Sequence, residues 1–263
     1  MEQELRRLAK ASQGPVAQNS SQPAVSVIIP VINERRTLSG VIRQAFRIHE
    51  KTEVIVVANG SSDETMQLAA RLGAKVLRFS ETLGHDVGRA VGAREAKGDI
   101  LLFLDADMVI PVRELRHYVH AVQHGVDIAL NQYSGQTSKK QVHRVVEAKH
   151  TLNAILGRPD LKGCSLTAIP HAIRRETAGA IGFEQLAVPP KAQAIAVAKG
   201  FKVEAVHFVN VARLNPLRKT VRKGDPIGDL ILGDHLEAIR WLIAERGSRA
   251  GKSDMGRRRD LVR

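Results

Sequence analysis

The chain has 263 residues, 43% hydrophobic and 25% charged, and its 40 Lys and Arg against 27 Asp and Glu give a formal net charge of +13. This is the make-up of one large globular domain, or of two that share a sheet, and no apolar run reaches the roughly 18 residues of a membrane-spanning helix. A single cysteine, Cys164, excludes an internal disulfide framework and a thiolate metal cluster, and it is read as buried packing.

The positive charge is concentrated. Arg213, Arg218, Lys219, Arg222 and Lys223 occur without an intervening acid, and the stretch from Arg246 to Arg263 is similarly basic. Such stretches bind polyanions or anionic lipid headgroups, or stay solvated. Aromatic residues make up only 3% of the chain, which argues against a stacking platform for single-stranded nucleic acid, and no specific nucleic-acid partner is expected.

Residues 1–23 are polar and end at Pro23, the pattern of a mobile leader without the apolar core of a secretory signal. A cytoplasmic location is expected, with peripheral contact at the inner face of a membrane as the alternative. Short β-branched runs then alternate with helical periodicity, as in a parallel sheet with crossover helices. Val25–Ile29 reads as the first strand and is followed by a helix bearing Leu38, Val41, Ile42, Ala45 and Phe46, with Thr37 as its cap. The second strand spans 53–58 and ends in Asn59-Gly-Ser-Ser-Asp63, with Ser62 or Asp63 capping the helix of Met66, Ala69, Ala70 and Leu72. A third strand at 75–79, a small-residue helix from Asp86 to about Lys97 and a strand at 99–104 follow. That last strand is nearly all apolar, as a strand buried on both faces must be.

A helix after Pro111 and a strand at 126–130 continue the series. Beyond them the pattern is mixed: a helix over 139–156, a strand near 163–169, a helix over 191–199, a strand from 201 to about 211 and a helix over 233–245. The expected organisation is a leader (1–23), a principal domain (24–245) whose halves meet near residue 110, and a basic tail (246–263).

In an open parallel sheet, ligands bind beyond the carboxyl ends of the strands, where the strand order reverses. Three polar loops fall at such ends: Pro30–Glu34, Asn59–Asp63 and Asp105-Ala106-Asp107. Two carboxylates one residue apart at the end of a buried strand repel unless a cation, a ligand or open solvent relieves them. A divalent ion with oxygen ligands, Mg²⁺ or Mn²⁺, meets that need and would neutralise charge on a diphosphate. The plainer reading is that the pair ends the strand and caps a neighbouring helix.

Three ordered segments, Val25-Ser-Val-Ile-Ile-Pro-Val-Ile-Asn-Glu34, Val54-Ile-Val-Val-Ala-Asn-Gly-Ser-Ser-Asp-Glu-Thr65 and Gly98-Asp-Ile-Leu-Leu-Phe-Leu-Asp-Ala-Asp107, resemble the nucleotide-sugar half of family 2 glycosyltransferases. They cover about a third of the chain. The resemblance implies a GT-A-like α/β fold: a mostly parallel central sheet flanked by helices, with a Rossmann-like donor half (24–110) and a mixed acceptor half (111–245). It further implies an inverting, metal-dependent transfer of a sugar from a nucleotide diphosphate sugar, UDP-sugar first, to a hydroxyl acceptor.

Carried over by position, Pro30, Asn33 and Glu34 lie against the nucleoside, as do Asn59 and Asp63. Relatives usually carry an Asp pair where this chain has Ala58-Asn59, which leaves the base less defined. Arg89, in the Gly84–Arg94 stretch, is implied to contact a donor phosphate or sugar; a solvent-facing helical arginine is the alternative. Asp105 and Ala106 border ribose or sugar, and Asp107 binds the metal. His207 is the candidate third ligand, and otherwise a core histidine. Removing the acceptor proton needs a base. Glu184 is the candidate, with Gln185 beside it where relatives are often acidic, and its plainer role is a cap or a surface acid. Pro189-Pro190 is expected in a rigid loop beside the acceptor groove, and the basic run from Arg213 over the acceptor or the diphosphate. A sugar nucleotidyltransferase, or a noncatalytic protein holding a polyanion or membrane surface, is the competing reading. The first of these lacks a glycine-rich triphosphate loop at 30–36.

Overall fold

A computed structural model of the chain describes residues 17–60, 64–137, 141–214 and 224–262. Asp63, the cap candidate Ser62, most of the basic run after Arg213 and most of the leader lie outside the described residues.

Seven strands form one sheet in the order β3-β2-β1-β4-β6-β5-β7. Their ranges are β1 Val25–Val31, β2 Thr52–Asn59, β3 Lys75–Phe79, β4 Ile100–Phe103, β5 Ile128–Asn131, β6 His171–Arg174 and β7 Val203–His207. All neighbours pair in parallel except β6, which runs against β4 on one side and β5 on the other. Helices flank the sheet: α1 Arg35–Phe46, α2 Thr65–Arg71, α3 Val87–Glu95, α4 Val112–Gln123, α5 Arg144–Ile155, α6 Arg175–Ile181, α7 Pro189–Ala198, the short α8 Val211–Leu214 and α9 Pro226–Arg246.

The apolar strands explain the centre. Every residue of β4 is buried, and in β1 only Pro30 is partly exposed, because helices cover both faces of a parallel sheet. The chain adds β2 and β3 on one side of β1, then crosses back to place β4 on the other. The strand order therefore reverses between β1 and β4, and the carboxyl ends of those two strands open the crevice that α/β sheets use for ligands.

Two close approaches fix this centre. At the opposite end of the sheet, the buried Glu53 carboxylate accepts from Ser26 Oγ at 2.5 Å and from the Lys97 backbone N–H at 2.6 Å, tying β1, β2 and the turn into β4 together. On the face of the sheet, α3 packs on β1 through Gly92, where a Cβ would stand 2.4 Å from Ile28 Cγ2. Only glycine lets the helix come this near, and so the start of α3 is held over the end of β1.

The structure departs from the sequence reading in the second half. No strand forms at 163–169; the strand begins after Pro170, at His171. The apolar run is instead a buried loop whose polar backbone groups are met by side-chain amides. Asn153 Nδ2 donates to the carbonyls of Lys162 (2.8 Å) and Cys164 (3.0 Å), and Gln193 Oε1 accepts from the Leu166 N–H at 2.9 Å. Amides supplied by α5 and α7 replace the bonds a strand ladder would have made. Pro189-Pro190 is the first turn of α7, not a loop, a position where a missing N–H breaks no helical bond. Thr37 lies inside α1, whose cap position is Glu34 without a side-chain cap bond. The helix 175–181 had no counterpart in the sequence reading.

The last long helix, α9, starts seven residues before its expected position and is capped by Asp225, which accepts from the Gly228 N–H at 2.9 Å. It is held by a small second core of Leu152, Leu156, Ala194, Ala238 and Leu242 contributed by α5, α7 and α9. Among the described residues no helix is long and apolar enough to cross a membrane.

Candidate active site

A cleft of about 240 Å³ opens at the β1/β4 switch point. Its walls come from four places: Pro30 to Ile32 with Glu34, then Asn59, then Gly84 to Asp86 with Arg89, and finally Asp105 to Asp107. The structure thus gathers Pro30, Glu34, Asn59, Arg89, Asp105, Ala106 and Asp107 around one space. Asn33, exposed in the left-handed region at φ 51°, sits in the same first loop.

Asn59 serves the loop opposite. Its Nδ2 donates to the Gly84 carbonyl at 3.1 Å, and its Oδ1 accepts from the Leu83 N–H. An ionised aspartate offers only acceptors and could not make the first of these bonds. The departure from the Asp pair therefore has a local reason: the amide pins the segment that carries His85 and Asp86 into the cleft wall.

Arg89 forms the floor. It is 5% exposed, pairs with Asp86, and donates from Nη2 to Asp105 Oδ1 at 3.0 Å. Burial works against the guanidinium charge, but Asp86 and Asp105 outweigh it and raise the pKa. A solvent-facing arginine is not what the fold builds. Asp86, absent from the sequence candidates, takes φ 61° immediately before α3, and its acid-to-arginine spacing of three along a helix start was the available signal. Asp105 is 35% exposed, and among the described residues its second oxygen has no bond. Beneath Arg89, the buried His171 stacks on Phe103 with ring centres 4.9 Å apart, and burial first, then the Arg89 charge, push its pKa down to about 3. A neutral ring thus underlies the cation.

Two candidates lie elsewhere. Glu184 is exposed on a 3₁₀ turn and borders a separate depression with Val87, Val91 and Arg94, on the other face of α3. Its own backbone N–H first, and then Gln185, hold its carboxyl below the usual range, and it does not line the cleft. His207 is on β7, the far edge strand, with β6 and β5 between it and β4. Its Nε2 meets Glu114 Oε2 at 2.6 Å, and its ring stacks on His117 at 4.0 Å. These partners occupy it as a packing and pairing group, and it does not line the cleft. Arg213 is exposed on α8.

The donor set still suits a hard divalent cation. One guanidinium faces the carboxylates of Asp86 and Asp105, with Asp107 two residues on, and all are oxygen ligands. Among the described residues no group of three or more His, Cys, Asp or Glu could cage a metal. Oxygen donors of this kind suit Mg²⁺ or Mn²⁺, ions that take one or two carboxylates and complete their shell with phosphate oxygens and water.

A mostly parallel α/β sheet with an acidic, arginine-floored cleft at its switch point defines a Rossmann-like α/β class with its ligand crevice at the strand ends. The chain belongs to glycosyl transferase family 2, whose family model matches residues 26–175. Over 123 residues it is 34% identical to the glycosyltransferase AglD of Haloferax volcanii, covering 42% of this chain and 20% of that protein. It is 31% identical over 114 residues to an undecaprenyl-phosphate 4-deoxy-4-formamido-L-arabinose transferase of Edwardsiella ictaluri, covering 40% and 35%. The matched stretches thus span a fifth to about a third of these relatives. Among solved structures, glucosyl-3-phosphoglycerate synthase of Mycobacterium tuberculosis, in complex with Mn²⁺, UDP and phosphoglyceric acid, superposes with a TM-score of 0.60 at 21% identity, over 89% of this chain and 81% of that one. This likeness establishes the GT-A fold.

Proposed function

We propose that the protein transfers a sugar from a UDP-sugar to a hydroxyl acceptor with inversion at the anomeric carbon, assisted by Mn²⁺ or Mg²⁺. The observation that carries this reading is the convergence of Asp105, Ala106, Asp107 and Arg89 with the first loop and Asn59 at the β1/β4 crevice. Bound structural neighbours support the choice of nucleotide and metal, since the mycobacterial synthase is described with UDP and Mn²⁺, and also with UDP and Mg²⁺.

In this reading the loop of Pro30, Asn33 and Glu34 orients the nucleoside, together with Asn59 of the same cleft. Asp105, fixed by Arg89, positions ribose or sugar through its second oxygen. Asp107 holds the metal, which when bound neutralises charge on the departing diphosphate. Arg89, held ionised by its two acids, keeps Asp105 in one orientation without reorganising during the reaction.

The test is a thermal-shift panel of UDP, GDP, UDP-sugars and GDP-sugars with and without Mn²⁺, followed by an assay of nucleotide release. A ligand that binds only the folded state raises the melting temperature. Stabilisation by UDP compounds that requires the metal is the expected result. Indifference to every nucleotide with metal present removes the reading.

A further inference from the structure

The cleft has to receive an anion, and its own charge opposes one. Its lining side chains include four acids, Glu34, Asp86, Asp105 and Asp107, against the single arginine Arg89. With a divalent cation bound, the acids still outnumber the positive charges. Arg89 is already committed to Asp86 and Asp105, and the Asn59 amide to the 83–84 segment. A diphosphate held here therefore needs a further N–H donor from the wall. Among the lining side chains, His85 is the one left to give it.

The position of His85 is fixed from both sides. Leu83 and Gly84, just before it, are held by Asn59 at the end of β2. Asp86, just after it, is held by Arg89, which also holds Asp105 beyond β4. The backbone turns on each side, at φ 88° for Gly84 and φ 61° for Asp86. His85 thus stands between the wall read as the nucleoside end and the acids read as the metal end, and in a nucleotide sugar the diphosphate lies between nucleoside and sugar. Its side chain is 41% exposed, while Asp86 and Arg89 are buried. The Nε2 atom lies 3.5 Å from Asp86 Oδ2, a distance long for a hydrogen bond, so the ring stands beside the carboxylate without being tied to it. Imidazole carries an N–H in either tautomer, and an N–H given to a charged oxygen is among the stronger hydrogen bonds.

We propose that His85 donates a hydrogen bond to the diphosphate of the nucleotide sugar and so makes the cleft prefer a nucleoside diphosphate over the bare nucleoside. The inference rests on the glycosyl-transfer reading of the cleft, which supplies the ligand. The two cationic or donor side chains then have separate tasks: Arg89 is buried and orients Asp105, whereas His85 is exposed and meets the ligand. No bond of the sugar donor is made or broken at His85, so its contribution is read in binding.

The experiment measures the affinities of the full chain for UDP, by calorimetry, and for uridine, by ligand-observed NMR, both with Mg²⁺. That ion prefers oxygen ligands to imidazole, so a loss at His85 is not the loss of a metal ligand. His85→Ala should weaken UDP by about tenfold to a hundredfold, leave uridine within twofold and leave the urea midpoint unchanged. His85→Gln keeps an N–H donor, and its UDP affinity should fall between those of wild type and His85→Ala. Equal UDP affinity in wild type and His85→Ala overturns the proposal. So does an equal loss for UDP and uridine, which would make His85 a support of the wall, and so does a His85→Gln protein that binds UDP no better than His85→Ala. If the unaltered protein binds no nucleoside diphosphate with Mg²⁺ or Mn²⁺, the glycosyl-transfer reading fails and takes this contact with it. Wild-type UDP binding with an indifferent His85→Ala instead spares that reading and sinks only the histidine.

Discussion

The β1/β4 crevice and the C-terminal helical layer are built by different means. On the proposed donor side, Pro30 and Glu34 follow β1, Asn59 ends β2 and Asp105 to Asp107 follow β4, while Asp86 and Arg89 come from the start of α3. In the C-terminal layer, helices α5, α7 and α9 meet instead through the small core of Leu152, Leu156, Ala194, Ala238 and Leu242. Strand ends are placed by the sheet, so a change there acts on chemistry without moving the scaffold. Helix faces are placed by packing, and a change there acts on both.

The sharpest way to break the donor side is at its floor. Arg89→Met leaves Asp86 and Asp105 buried or half-buried with no cation between them, and removal of one member of a buried charge cluster is expected to destabilise by about 3–5 kcal/mol. Urea unfolding reads it directly. Adding Asp86→Asn and Asp105→Asn to that variant should return much of the stability and none of the donor affinity. If the single variant unfolds like wild type, the triad does not organise the cleft.

Asp107→Ala separates chemistry from scaffold. Its expected signature is loss of metal-dependent UDP affinity by at least tenfold, or about 1.4 kcal/mol, with little change in the urea midpoint. Calorimetry with and without Mn²⁺ tests it, and equal affinity in the two proteins would remove Asp107 from the metal site. Comparable in size but opposite in kind is Gly92→Ala. Here the added methyl meets Ile28, and an overpacked contact is expected to destabilise by about 1–3 kcal/mol. The helix would lift from β1 and carry Asp86 and Arg89 with it, so UDP affinity should fall together with stability.

This division also explains what the sequence revealed. Val25–Val31 and Ile100–Phe103 are visible because a parallel strand covered on both faces must be continuously apolar, and the polar residue that ends such a run is already at the ligand crevice. The run from Cys164 to Ile169 is equally apolar and yet is a loop, because Asn153 and Gln193 satisfy its backbone from two distant helices. No local pattern announces that exchange. Glu184 looked suited to catalysis because it precedes a helix in the expected order, but only packing decides which face of α3 it borders.

Asn59→Asp probes the boundary between the two kinds of construction. The substitution keeps the size of the side chain and removes the donor to the Gly84 carbonyl, so about 1 kcal/mol of stability should be lost. The 83–86 segment it holds belongs to the cleft wall, and weaker UDP binding should accompany the loss. Unchanged binding would mean that the segment is held from the α3 side alone.

The smallest expected effect is the most discriminating. Glu184→Gln replaces an exposed carboxylate whose partners are its own backbone and Gln185, on the face of α3 turned away from Arg89. A base must stand within hydrogen-bond reach of the proton it removes, directly or through one water. Glu184 does not line the cleft. UDP affinity, the urea midpoint and the rate of UDP release should therefore all stay within twofold of wild type. A hundredfold fall in release with intact UDP binding would require the 183–187 turn to reach the cleft during turnover, and would make Glu184 the base.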